Sequence, residues 1–356
     1  MAEPAPAQGG SETAERFGAH RVLAPAGALP QAADRLDATS PVRASELELD
    51  VELLNLDSTS HRQIAEASGG DAGAMAAHIA EIVAAHGKMH NPVTGSGGIL
   101  VGRARAAGPA FPLGGSWPEV RVATLASLTL TPLRLDAVGP LDPGSPQIPV
   151  RGRAFVSATM PWAPVPDDLP LPVVLAVLDV YGVTSHVRDL AALGDDVLVL
   201  GAGRAGLLAT AAAREAVGAD GTVTVVDVAR AAVDRAAALG ARGVVADARD
   251  ALALVGALDA AGVRRAALTV VVVNVPGCEN GAVMATRDDG RVVFFSMATS
   301  FTRAALGHEG LGSEARLIIG SGYAPDRGAH ALGLVRRHPA LARAFSALEG
   351  GVRPQS

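Results

Sequence analysis

The 356-residue sequence contains one cysteine, Cys278, and one lysine, Lys88. A single thiol excludes an internal disulfide framework and every structural zinc site built from several thiolates, so a reducing, cytoplasmic setting is expected. Aromatic residues are only 3%, and Lys+Arg at 30 against Asp+Glu at 36 leaves a net charge of -6. A basic groove with stacking platforms is therefore missing, and no nucleic-acid partner is expected. The most apolar stretches, 268–275 and 172–183, are short or carry Asp179. Neither reaches the ~20 apolar residues of a membrane span, so no membrane partner is expected. The first residues lack the charged start and apolar middle of an export signal. Twenty-nine arginines stand against the one lysine, which reads first as the coding habit of a GC-rich genome.

What is present suits two domains at ~100 to 200 residues each. Residues 1–17 are polar and of low complexity and read as a disordered tail. Residues 18–166 carry strand grammar: Glu46 to Leu53 alternates with period two, and a buried strand is expected from Gly97 to Gly102. One helical insert, Ala72 to His86, places Met75, Ile79, Ile82 and Val83 on one face. After a proline-rich hinge, Pro161 to Pro172, residues 167–325 alternate strands with alanine-rich helices. Apolar runs at 197–200, 222–226, 243–246, 268–275, 291–297 and 315–320 suit a parallel sheet covered on both faces. Helices are expected at 206–216 and 229–239. Residues 326–356 should form one further helix, Ala329 to Leu348, returning to the first domain.

The sharpest motif follows the first of those runs. Gly201-Ala202-Gly203-Arg204-Ala205-Gly206 is G-x-G-x-x-G between a strand and a helix. Its three glycines serve a tight turn, close approach of a pyrophosphate and helix packing, while the helix N-terminus offers N–H donors and a positive dipole. Asp227 ends the second strand, where a carboxylate accepts the ribose hydroxyls and repels a 2′-phosphate. NAD is thereby favoured over NADP, a preference that the nearby Arg230 weakens slightly. Asp247 should border the adenine. Asn274, Val275 and Pro276, with Ser296, Met297 and Ala298, should line the nicotinamide side, and Thr299 is read with them.

A β-rich domain, a dinucleotide domain and a returning helix together resemble the medium-chain dehydrogenase/reductase architecture. The fold class expected is α/β, with a GroES-like N-terminal domain and a Rossmann doubly wound parallel sheet. Many members of that superfamily hold a catalytic zinc. Here the matching places are filled by Asp57, by Gly95-Ser96-Gly97 and by Asp179-Val180-Tyr181-Gly182, so no metal is expected. A closer likeness lies in Gly87-Lys88-Met89-His90-Asn91-Pro92-Val93-Thr94-Gly95-Ser96-Gly97-Gly98, in 127–134 and in 294–302. Gly18 to Val22 and Gly320 to Tyr323 add to it. These segments resemble the L-erythro-3,5-diaminohexanoate dehydrogenase family, over nearly the whole ordered chain.

That resemblance implies NAD-dependent oxidative deamination at C3 of a diamino acid, a step of lysine fermentation, in a homo-oligomer that is a dimer or a tetramer. The C3 ammonium must lose a proton, hydride must leave, and water must attack the cationic iminium. A carboxylate and a tunable base would assist. Asp57 is the candidate for the first role. Lys88 is a candidate base or an anchor for the substrate carboxylate, because a buried ammonium shifts its pKa where arginine does not; a solvated turn lysine is the plain alternative. His90 is a second candidate base, and Thr94 and Ser96 would position water. Asp179 or Asp57 would pair with the C5 ammonium, Arg134 would clamp the C1 carboxylate, and Tyr323 joins the substrate set. Two other readings stay open: a zinc-free quinone or enoyl reductase, and an NAD-binding sensor without turnover.

Overall fold

The computed structural model describes residues 15–91, 97–112, 120–320, 322–324 and 326–349. The chain divides into two compact units between Leu171 and Pro172, inside the proline-rich hinge.

In the first unit a small antiparallel pair, β1 (Val22–Ala24) and β2 (Arg35–Leu36), accompanies a six-stranded antiparallel sheet. The sheet comprises β3 (Glu46–Asn55), β4 (Ile99–Ala107), β5 (Arg121–Thr124), β6 (Leu133–Val138), β7 (Gln147–Ser157) and β8 (Trp162–Pro164), in the order β6-β7-β3-β4-β5-β8. The period-two reading of β3 is carried out in space. Leu47, Leu49 and Val51 enter the core, while Glu48, Asp50 and Glu52 face outward. Arginines of neighbouring strands meet those acids: Arg153 pairs with Glu48 and, at 3.0 Å, with Asp50, and Arg103 and Arg121 reach Glu52 at 2.8 and 2.9 Å. Such cross-strand pairs fix register on the wet face of a sheet.

The segment before β3 is held by a buried ion pair. Arg21 and Glu46 are each 1% exposed. Arg21 donates through Nε to Oε1 at 2.7 Å and through Nη2 to Oε2 at 2.5 Å, and its remaining N–H groups reach the carbonyls of Asp37, Ser40 and Pro41. The guanidinium carbon lies 3.9 Å from the centre of the Phe155 ring. Burial pushes the Glu46 carboxyl up, but the hydrogen bonds from Arg21 and His20 and the Arg21 charge outweigh it and hold the group at about 2.

Two helices, not one, interrupt the sheet. The helix Ala72–His86 falls where its periodicity placed it. The other, Ser58–Ala67, begins at Asp57, whose side chain accepts from the N–H groups of Thr59 and Ser60. That is an N-cap, satisfying two donors that a helix start leaves open.

The second unit holds a six-stranded parallel sheet: β9 (Asp196–Leu200), β10 (Thr222–Asp227), β11 (Arg242–Val245), β12 (Ala266–Val271), β13 (Thr286–Phe294) and β14 (Arg316–Ile319). Its order, β11-β10-β9-β12-β13-β14, reverses direction between β9 and β12, as in a dinucleotide-binding sheet. All six residues of β12 are buried, the pattern of a central strand covered on both faces. The helices Arg204–Val217, Arg230–Ala237, Ala251–Ala260, Glu279–Met284 and Phe301–Leu311 follow β9 to β13 in turn. The expected single terminal helix is two, Ala329–Arg337 and Pro339–Glu349. Pro339 has no N–H and forces His338 into an extended conformation, so the helix breaks there. Both pieces pack on the helix Arg204–Val217 of the second unit. Glu215 of that helix takes a two-pronged bond from Arg337 at 3.0 Å and another from His338 at 2.7 Å.

No single helix among the described residues is long and apolar enough to cross a membrane. The bent pair Leu171–Leu178 and Gly182–Leu190 has the composition, but Val173 to Leu178 are buried in the protein.

Candidate active site

The dinucleotide loop shows three different steric demands. Gly201 has φ 108°, in the left-handed region, and a side chain there would lie 3.0 Å from the Val273 nitrogen. A side chain on Gly206 would lie 2.0 Å from the Gly201 carbonyl oxygen. Gly203 is exposed and has no atom within 4 Å of where its Cβ would stand. The first two glycines are thus required by the protein itself, and the third leaves room for something else. From Gly203 through Arg204 and Ala205 the helix presents its N-terminal N–H groups, with no side-chain cap, and its positive end, which suits a pyrophosphate. Ala202 differs, because its N–H is taken by Asp227 Oδ2 at 2.8 Å. Asp227 Oδ1 accepts from Ala229 at 2.9 Å, so the acid is locked at the end of β10. A carboxylate has about four acceptor positions, and it therefore still has lone pairs for ribose hydroxyls. These residues fit a nicotinamide dinucleotide.

The other residues expected at the cofactor follow the C-terminal ends of the strands. Asn274 and Ser296 come together, with the Ser296 hydroxyl 3.4 Å from Asn274 Oδ1 and also accepting the Ala298 N–H at 3.1 Å. Val275, Pro276 and Met297 are exposed beside them. Asp247 is held by a two-pronged bond from Arg249, and this partner keeps its carboxyl at about 2. Arg249 was not singled out from sequence, although its spacing from Asp247 was visible. Cys278 is buried, and burial pushes its thiol up to about 11, far from thiolate reactivity. Asp179 is half-buried one residue past the end of the helix Leu171–Leu178, rather than on a helix face. Tyr323 is exposed. The tyrosine that fixes its segment is Tyr181, buried to 1%, whose hydroxyl donates to the Ala324 carbonyl at 3.2 Å and accepts the Ala324 N–H at 3.0 Å.

In the first unit Lys88, His90 and Asn91 follow the helix Ala72–His86. Lys88 is 1% exposed, so a solvated turn lysine is excluded, and Nζ donates to the Ala33 carbonyl at 2.5 Å. Burial lowers its pKa, and the charge of Asp34 opposes the shift. His90 is half-buried with Nδ1 2.8 Å from the Thr129 hydroxyl, and its ring centre is 5.7 Å from that of His86. Asn91 donates to Ser60 Oγ and Gln63 Oε1, each at 2.9 Å, and Ser60 in turn donates to Asp57 Oδ2 at 2.6 Å. The second carboxylate oxygen of Asp57 accepts the Thr59 and Ser60 N–H groups at 3.0 and 2.9 Å. Asp57 therefore organises a helix start and the Ser60–Asn91 link. Thr94 and Ser96 lie outside the described residues. Arg134 is exposed on β6 with Asp136 at 3.4 Å, and no described contact joins it to the Lys88–Asn91 group.

At the places where the resemblance would put a catalytic zinc, the sequence offers no thiolate or imidazole. The three corresponding places supply carboxylates, hydroxyl or glycine where thiolate and imidazole would be needed, and Asp57 is engaged with its helix. Among the described residues no three His, Cys, Asp or Glu side chains are grouped to hold a metal ion.

Residues 20–166 match the model of the L-erythro-3,5-diaminohexanoate dehydrogenase N-terminal domain. Two L-erythro-3,5-diaminohexanoate dehydrogenases are similar in sequence. The protein from Fusobacterium nucleatum is 37% identical over 93% of this chain and 97% of its own length. That from Acetoanaerobium sticklandii is 38% identical over 86% of this chain and 91% of its own. Among solved structures, an alcohol dehydrogenase from E. coli complexed with NADH shares the fold, with TM-score 0.53 at 18% identity over 87% of this chain and 90% of that one. With the medium-chain dehydrogenase fold, the glycine loop and a sequence match running through both units, the chain belongs to the L-erythro-3,5-diaminohexanoate dehydrogenase family.

Proposed function

We propose that this chain oxidises L-erythro-3,5-diaminohexanoate with NAD to 5-amino-3-oxohexanoate and ammonia, a step of lysine fermentation. The observation that carries the reading is the near end-to-end family match, which takes in the dinucleotide loop and the Lys88–Gly98 segment alike. When bound, NAD supplies the acceptor for the C3 hydride. The chain's own residues do the rest. Gly203 to Ala205 bind the pyrophosphate, Asp227 the ribose, and Asn274, Ser296 and Ala298 orient the carboxamide.

The choice of NAD over NADP rests on the charge of Asp227. Hydrogen bonds to a charged group contribute about 1.5–3 kcal/mol, so Asp227→Ser should raise the KM for NAD by about tenfold to a hundredfold. It should also remove the repulsion of a 2′-phosphate and improve NADP use. Initial rates with both cofactors check this. A wild-type protein that turns over NADP as well as NAD contradicts the assignment.

A further inference from the structure

We propose that a groove of the first unit, walled by β1, β2 with the loop after it, the helix Ala72–His86 and β6, binds a small monocarboxylate with an apolar body through the guanidinium groups of Arg35 and Arg134. The proposal does not depend on the reaction assigned above.

The groove holds about 290 Å³, at the lower end of the range for small-molecule pockets. Its walls come from separate segments, and one glycine pins three of them. Gly87 ends the helix with φ 63°, and a side chain there would lie 1.9 Å from the Leu36 carbonyl oxygen. Only glycine lets the helix end press so closely on β2. The Gly87 carbonyl also accepts the Leu133 N–H at 2.8 Å, which fastens the start of β6 to the same point. The groove is therefore held open by backbone contacts. Its depth comes from small side chains, since Ala80 and Ala84, one turn apart on the helix, line it beside Val83. Leu36, Leu133 and Leu135 complete the apolar lining, and Leu23, 56% exposed, adds to it.

Three charged residues line the groove: Arg35, Asp37 and Arg134. A carboxylate has about four acceptor positions, and Asp37 uses its own within one turn. Its Oδ1 accepts the Thr39 N–H and hydroxyl, each at 2.8 Å, and the Ser40 N–H at 3.1 Å, while Oδ2 accepts the Ser40 hydroxyl. The arginines are not engaged in this way. Arg35 is exposed and has no ion-pair or hydrogen-bond partner among the described residues. Arg134 meets Asp136 at 3.4 Å, with side chains 47% and 54% exposed, a pair that solvent screens. Two guanidinium forks over an apolar lining select a planar anion that carries hydrocarbon. An ammonium finds no open carboxylate here, so the diamino acid, which carries two, is not the occupant. A purely inorganic anion would leave the lining unused.

The test uses the full chain, methyl-labelled for NMR, with hexanoate as the probe. Hexanoate should shift the methyl signals of Leu23, Val83, Leu133 and Leu135 saturably, and hexylamine and inorganic phosphate at the same concentration should not. Arg35→Gln and Arg134→Gln should each weaken hexanoate by about threefold, and the double variant by about tenfold. Ala84→Leu should abolish binding with both arginines in place, because it fills the groove. All three positions are exposed, so thermal melts of the variants should match wild type. The proposal is overturned if those methyls do not respond to hexanoate, if hexylamine or phosphate acts equally well, or if affinity survives in Ala84→Leu or in the double arginine variant. Displacement of hexanoate by L-erythro-3,5-diaminohexanoate also overturns it, since the groove would then be the seat of the substrate. Failure of the chain to form NADH bears on the functional reading alone.

Discussion

Gly206→Ala is expected to weaken NAD binding by at least about tenfold and to lower the stability of the chain, whereas Gly203→Ala is expected to weaken NAD binding with stability unchanged. The two glycines sit three residues apart in one loop, so the contrast isolates their roles. A methyl on Gly206 would stand 2.0 Å from the Gly201 carbonyl, which is backbone and cannot swing aside. Overpacking costs about 1–3 kcal/mol where side chains can yield, and backbone yields less. The turn must open, and with it the N–H groups proposed to hold the phosphates. A methyl on Gly203 meets nothing within 4 Å in the protein alone. On the proposed binding mode it would meet the pyrophosphate. Thermal melts and NAD titrations of both variants check the pair, and equal losses of stability would show that Gly203 is a structural glycine only.

The second large effect lies in the first unit. Glu46→Gln leaves the Arg21 guanidinium buried without its counter-charge, and breaking such a pair costs about 3–5 kcal/mol. That is a substantial part of the ~5–15 kcal/mol by which domains are stable. The pH dependence has a definite sign. The folded carboxyl lies at about 2 against an ordinary 4.5, so its contribution is full above 4.5 and is lost as pH falls toward 2. Urea unfolding of wild type should therefore weaken across that window. The variant should start lower and show a flatter slope there. Arg21→Met combined with Glu46→Leu should cost less than either single change, because it removes both charges together. A Glu46→Gln protein as stable as wild type would mean that the pair is not holding the segment before β3.

The parts of this molecule that were legible in its sequence are those in which one residue type answers one local demand. The three glycines of the loop, the alternation of β3 and the apolar runs of the parallel sheet are of that kind. Asp57 was also legible, since Asp-Ser-Thr-Ser before Ile64 is an N-cap pattern. Pro339 was in plain view as a helix breaker within the run read as one helix. Lys88 drew notice by its rarity, but rarity said nothing of its burial or of the Ala33 carbonyl 55 positions away. Thr129 at His90, and Tyr181 at Ala324 across 143 positions, are long-range pairings that no local pattern announces. Local demands write themselves into a sequence, and the partners supplied by tertiary folding do not.

The central claim is tested most directly by incubating the purified full-length chain with NAD and L-erythro-3,5-diaminohexanoate in the presence of a zinc chelator, and by measuring NADH and ammonia together. Equal amounts of the two, formed at a rate that the chelator leaves unchanged, are the predicted result. NADH without ammonia, a rate that collapses and returns with zinc, or no NADH across neutral to alkaline pH would contradict it.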